Sequence, residues 1–202
     1  MENLLQEVEK FVTTLLLNEL SHTYVYHNLS HTQRVVKYTK VLIEGESIND
    51  VDSENLLLAA WLHDTGYIKE AKEHEKNSVN IASKFLKGKI SDEQIKKVSS
   101  LIMSTKMDYE PQNNLEYILR DADCAHFRSK NYIEISELLR VELETNEDKH
   151  FSDIEWIEEN ISFFTKNHRY YTNYALENWQ QDKDKNLALL FKQLKKHKES
   201  YK

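Results

Sequence analysis

Three glycines and a single proline are spread over 202 residues. These two residue types interrupt regular structure most often, so a chain this poor in them is expected to run in long helices with short connections. The alternation of β-branched and polar residues that marks strands is scarce, and neither a 20–50 residue repeat nor a low-complexity linker is visible. The expected fold class is all-α. The length suits a single compact helical domain over 1–202, with a core at about 22–145 and a C-terminal helical extension at about 150–202.

Apolar periodicity and end signals divide the chain into about seven or eight helices. The first covers roughly 3–20 and the second runs from near Tyr26 to about Glu44, with Gly45 at its end. A third opens at Ser53 and ends near Asp64, with Gly66 just behind. His74 to Lys87 follows, closed by Gly88. Ser91 with Gln94 three residues on forms a capping box, and Pro111 stands where a further helix is expected. That helix carries Leu115, Ile118, Leu119 and Ala122 on one face, and another spans about Ile133 to Glu144. Ile154, Ile157, Ile161 and Phe164, then Leu187, Leu190, Phe191 and Leu194, keep helical spacing in the last 50 residues.

Apolar residues make up 40% of the chain and charged ones 30%, the balance of a soluble protein, and no stretch approaches the roughly 20 apolar residues of a membrane span. "LLQEVEKFVTTLLLNEL" is broken by charges and lacks a basic leader and a cleavage site, so it reads as an amphipathic helix. With Cys124 alone no intrachain disulfide can form, and a cytoplasmic location is expected. The net charge of −7 argues against a duplex nucleic-acid surface. It does not exclude a small anionic substrate, because a metal ion can supply local positive charge. The basic tail "KQLKKHKESYK" reads as a solvated helix end.

Three segments put polar groups where apolar ones are expected. In "YHNLSHTQRVVKY", His27 and His31 are four apart, which on one helix is a shared face, and His31 continues through Val35, Tyr38 and Leu42. "ENLLLAAWLHD" is apolar nearly all round and ends in His63-Asp64. In "YILRDADCAHF", Asp123 continues the apolar line Leu115–Leu119, whereas Asp121 lies with Tyr117 and Cys124, so Asp123 is the better candidate to reach the core. Each group alone reads equally as a satisfied core histidine, a helix cap or a surface acid. Together, two inward histidines and two acids are costly to bury unless paired or bound to a metal. A mixed nitrogen and oxygen set suits one or two divalent ions of Mn, Fe, Co, Ni, Zn or Mg.

The ordered set His31, His63-Asp64 and Asp123 resembles the HD-domain superfamily of metal-dependent phosphohydrolases. "LLLAAWLHDTGY" is similar to that family's HD helix and its small-residue turn, "EHEKNSVNIASKFL" to the helix that follows, and "ILRDADCAHF" to the segment with the last aspartate. The resemblance covers about Tyr26 to Phe127 and implies an HD-domain-like helical bundle with His31, His63, Asp64 and Asp123 as metal ligands. "YHNLSH" further resembles an element of cyclic-nucleotide phosphodiesterases, which implies His27 as general acid and His31 as a ligand. The chain lacks their purine-binding glutamine region, and "HDTGYI" lacks the acidic pair of guanosine tetraphosphate hydrolases.

The implied activity is hydrolysis, by a metal-activated water, of a phosphomonoester or phosphodiester of a nucleotide or other small phosphorylated metabolite. Asp64 or Asp123 would bridge two metals or orient the water. Arg34, His74, Lys106, Arg120 and Arg128 are candidate substrate contacts. The alternative is a catalytically silent HD module that binds a nucleotide or protein as a sensor. "FFTKNHRYYTNYALENW" is expected to cover the core or to form a homodimer face. "HEKNS" lacks the second histidine of a zinc protease, no phosphate-binding glycine loop exists, and Cys124 reads as packing.

Overall fold

The computed structural model describes residues 2–147 and 149–200. Among them are ten α-helices and no β-strand. They are α1 (Glu2–Glu19), α2 (Leu29–Gly45), α3 (Asp50–Leu62), α4 (His74–Leu86), α5 (Asp92–Met103), α6 (Asn114–Asp123), α7 (Tyr132–Asn146), α8 (Asp153–Ser162), α9 (Asn173–Asn178) and α10 (Gln180–Ser200). Short 3₁₀ turns at Thr65–Ile68 and Cys124–Arg128 follow α3 and α6, and a π turn at Phe163–Asn167 follows α8.

Side-chain caps decide where most of these helices begin. Asn28, Asn49, Ser91, Asn113, Ser152 and Thr172 each accept from backbone N–H groups of the following turn. The capping box at Ser91 and Gln94 is formed. Three expected starts move because asparagines compete for them. The third helix opens at Asp50 behind the Asn49 cap rather than at Ser53. Pro111 does not open α6, which waits for Asn113. The second helix starts at Leu29 rather than near Tyr26, since Asn28 is extended (φ −134°, ψ −177°) and accepts from Ser30 N and His31 N. His27 therefore precedes α2, and it does not share a helical face with His31. The last 50 residues divide into three helices because the π turn and the Thr172 cap interrupt them.

α3 runs through the middle of the main core, packed against α1, α2, α5 and α6. Leu56, Leu58, Ala59, Ala60, Trp61 and Leu62 are all buried, as an apolar surface on every side requires. Each large side chain of that group contributes roughly 1.5–3 kcal/mol by leaving water. Tyr170, Ala175 and Trp179 from the C-terminal third join this core, and Trp179 meets Tyr38 edge-on at 5.5 Å. A smaller cluster of Phe127, Tyr132, Ile157, Phe164 and Leu190 lies between α7, α8 and α10. Asp121 ties the two parts together, accepting from Tyr171 N (3.1 Å), Thr172 N (2.8 Å) and Thr172 Oγ1 (2.8 Å).

Among the described residues no helix is long and apolar enough to cross a membrane. The basic tail continues α10 to Ser200 with its side chains largely exposed, and Tyr201 and Lys202 lie outside the described residues.

Candidate metal centre

The end of α3 explains how two adjacent residues can face one point. On a continuing helix, neighbours diverge by about 100°. Here α3 stops at Leu62, His63 is its last helical-conformation residue, and Asp64 turns away at φ −104°, ψ 6°. Thr65 Oγ1 donates to Leu62 O at 2.8 Å and secures that stop. Gly66 follows because nothing larger fits: a Cβ there would lie 1.9 Å from His74 O and 2.8 Å from Ser78 N. Gly66 N donates to Ser78 Oγ at 2.8 Å, which docks the turn against the start of α4.

His31 projects inward from the first turn of α2, and Asp123 closes α6. His31 Nε2 lies 3.4 Å from His63 Nε2, 3.2 Å from Asp64 Oδ2 and 3.1 Å from Asp123 Oδ1. His63 Nε2 lies 3.2 Å from Asp64 Oδ2 and 3.7 Å from Asp123 Oδ1. His63 Nδ1 donates to Ala60 O at 2.9 Å, and because a carbonyl only accepts, this fixes the hydrogen on Nδ1 and leaves Nε2 as a lone pair.

These residues fit a divalent cation. Donors bound at roughly 2.0–2.2 Å stand about 3.0 Å apart at right angles and about 3.4 Å apart in a tetrahedron, the range seen here. Two imidazole nitrogens face each other at 3.4 Å, and the buried Asp64 Oδ2 has only its ion-pair contacts at 3.2 Å with the two rings. His31, His63 and Asp123 alone form a three-ligand group within 4.8 Å. Metal-free, the cluster is a charge-balanced set. Burial opposes charge on all four groups, but the carboxylates raise the pKa of His31 and His63, and the histidines hold Asp64 and Asp123 well below the usual carboxylate range.

Asp64 and Asp123 line one end of a cavity of about 410 Å³, while His31 and His63 are buried off its wall. On the near wall stand His27, Tyr67 and His74, stacked in that order with ring centroids 4.5 and 4.1 Å apart. His74 Nε2 is 3.6 Å from Asp64 Oδ1 and its Nδ1 bonds to Ala71 O at 2.9 Å. His27 Nδ1 donates to Glu142 Oε1, while Glu142 Oε2 accepts from Tyr26 N (2.8 Å) and His27 N (2.9 Å). That arrangement orients the ring and leaves Nε2 to exchange a proton. His126, also on the wall, is pushed down to about 3 by burial and by His31, so it stands neutral.

Four of the expected substrate contacts do not line the cavity. Arg120 is buried, and its Nη2 donates to Ser104 O, Lys106 O and Tyr109 O at 2.6–2.9 Å. Arg128 lies over the rings of Trp179 and Tyr38. Lys106 pairs with Asp108 at 3.2 Å. Arg34 is half-buried on α2 and stays off the wall. Among the expected substrate contacts, His74 is on it. Sequence reasoning missed Tyr67, Glu75 and Glu142. Glu142 carried a signal, since it follows Ser136 and Leu139 at three-residue intervals along α7, and it is buried there.

The family model for the HD domain matches residues 28–128. No curated protein sequence matches the chain. Among solved structures, the fold is similar to the crystal structure of a Lactobacillus plantarum protein, a structural genomics target. That similarity has a TM-score of 0.69 at 15% identity and covers 100% of this chain and 98% of the other.

Proposed function

This chain belongs to the HD-domain family, and from that premise we propose that it is a metal-dependent phosphohydrolase acting on a small phosphorylated substrate. The observation that carries the reading is the convergence of His31, His63, Asp64 and Asp123, with two imidazole nitrogens facing each other at 3.4 Å, beside a cavity that also holds an oriented histidine. His31, His63, Asp64 and Asp123 would hold a divalent cation, which would supply Lewis acidity and lower the pKa of a water. The protein's own groups do the rest. His27 donates a proton to the departing ester oxygen, and Glu142 holds its ring in register. Tyr67, stacked between His27 and His74, limits the motion of both rings.

The test is metal analysis of the purified protein joined to a panel of phosphate esters and nucleotides with added Mn, Co or Ni. The expected result is bound or bindable metal and hydrolysis that His63→Ala with Asp64→Ala abolishes. Metal binding without any hydrolysis would favour the silent sensor module instead.

A further inference from the structure

The cavity does not end at the metal centre. It runs on between the turn after α6, α7 and α8, where Phe127, Leu139, Leu143, Phe151, Trp156 and Phe163 form its wall. Three polar side chains of that far wall are already used within the protein. Tyr132 Oη donates to Asn160 Oδ1, Asn160 Nδ2 donates to Trp156 O at 2.7 Å, and Ser136 Oγ donates to Ile133 O at 2.9 Å. Among the described residues of the wall, Trp156 Nε1 is the one buried side-chain donor without a partner. A site that selects a nucleobase needs unpaired donors and acceptors to read its edge, and this wall has almost none free.

Charge points the same way. A second or third phosphate would call for arginine or lysine beyond the metal. Among the described residues of the wall, the one such side chain is Lys149, which pairs with Glu147 at 2.6 Å. Glu75 and Glu159 line the cavity as well and would repel a further phosphate.

Resting on the phosphohydrolase reading, we propose that the substrate is a phosphate ester of an apolar alcohol carrying one phosphate, with the alkyl or aryl portion seated against Trp156 and Leu139. A volume of about 410 Å³ lies within the range of pockets that enclose a small organic ligand. Hydrolysis breaks the phosphorus–oxygen ester bond. Water supplies the new oxygen on phosphorus, and His27 supplies the proton that the apolar alcohol carries away.

The test compares octyl phosphate with ethyl phosphate, whose leaving alkoxides are about equally basic, and with ADP. Each buried methylene is worth about a factor of four, so kcat/KM for octyl phosphate is expected to exceed that for ethyl phosphate by roughly 100-fold or more. ADP is expected to be the poorest of the three. In Leu139→Asp the octyl-to-ethyl ratio should fall at least about 10-fold. That ratio is internal to each protein, so a partly unfolded variant does not mimic it. Binding is read separately: 8-bromooctan-1-ol should quench the fluorescence of Trp156 saturably, and the quench should vanish in Trp156→Phe. Equal turnover of octyl and ethyl phosphate, a preference for ADP, or no quench overturns the proposal. If no ester of any kind is hydrolysed while the quench persists, it is the phosphohydrolase reading that fails and the apolar site that stands.

Discussion

The two ends of the cavity are built from different materials by different parts of the chain. The metal end takes His31, His63, Asp64 and Asp123 from α2, α3 and α6, buried helices whose ends are pinned by caps and by the Gly66 contact. The far end takes aromatic and aliphatic side chains from α7, α8 and the turns beside them, packed on the smaller cluster around Phe127 and Tyr132. The first end has unmet polar demand and the second has almost none. On the proposed function, a site divided this way would assign reactivity to one region and selectivity to the other, with His27 and Glu142 as the bridge, because Glu142 of α7 holds the histidine that precedes α2.

The contrast can be broken first at the metal end. His63→Ala with Asp64→Ala is expected to lower hydrolysis by about three orders of magnitude or more and to remove bound metal, read by elemental analysis. His27→Ala should lower kcat by roughly 10²–10⁴-fold while leaving metal content unchanged, which separates proton donation from metal binding.

A chelator should act through pH. The raised pKa values of His31 and His63 mean that their pairing stabilises the metal-free fold fully below about pH 6.5 and is lost as pH rises through the folded values. The depressed values of Asp64 and Asp123 mean that their share is present above about pH 4 and is lost as pH falls through the folded values. As pH rises through those folded values, the metal-free cluster loses the protonated partners of two buried carboxylates. Metal removal is expected to lower Tm by several degrees more at pH 8 than at pH 6, measured by thermal melts with and without chelator. The smallest effect belongs to a residue off the cavity: Arg128→Ala should leave kcat/KM within about two-fold and lower Tm by a few degrees through lost stacking on Trp179 and Tyr38.

Much of the metal end is legible in the order and spacing of residues. His31 and Asp123 sit on apolar faces of regular helices, and His63-Asp64 ends a helix that is apolar all round, so each stands out against its local period. The far end is not legible in that way. Aromatic residues such as Phe127, Trp156 and Phe163 have the same spacing whether they fill a core or line a cavity. Likewise, an arginine near a phosphate and one clamped on three carbonyls, as Arg120 is, read alike in one dimension.

By itself the sequence determined an all-helical chain, the order of its ligands and the buried character of α3, because scarce breakers and 3.6-residue periodicity act over neighbours. The start of α2 was settled locally, by the Asn28 cap that sets His27 outside it. Tertiary structure alone decided two further points. Glu142 reached His27 across 115 positions of chain. The walls of α7 and α8 left a space between them that no side chain fills. Those are outcomes of competition between packing and capping over long separations, and no local pattern of residues records which competitor wins.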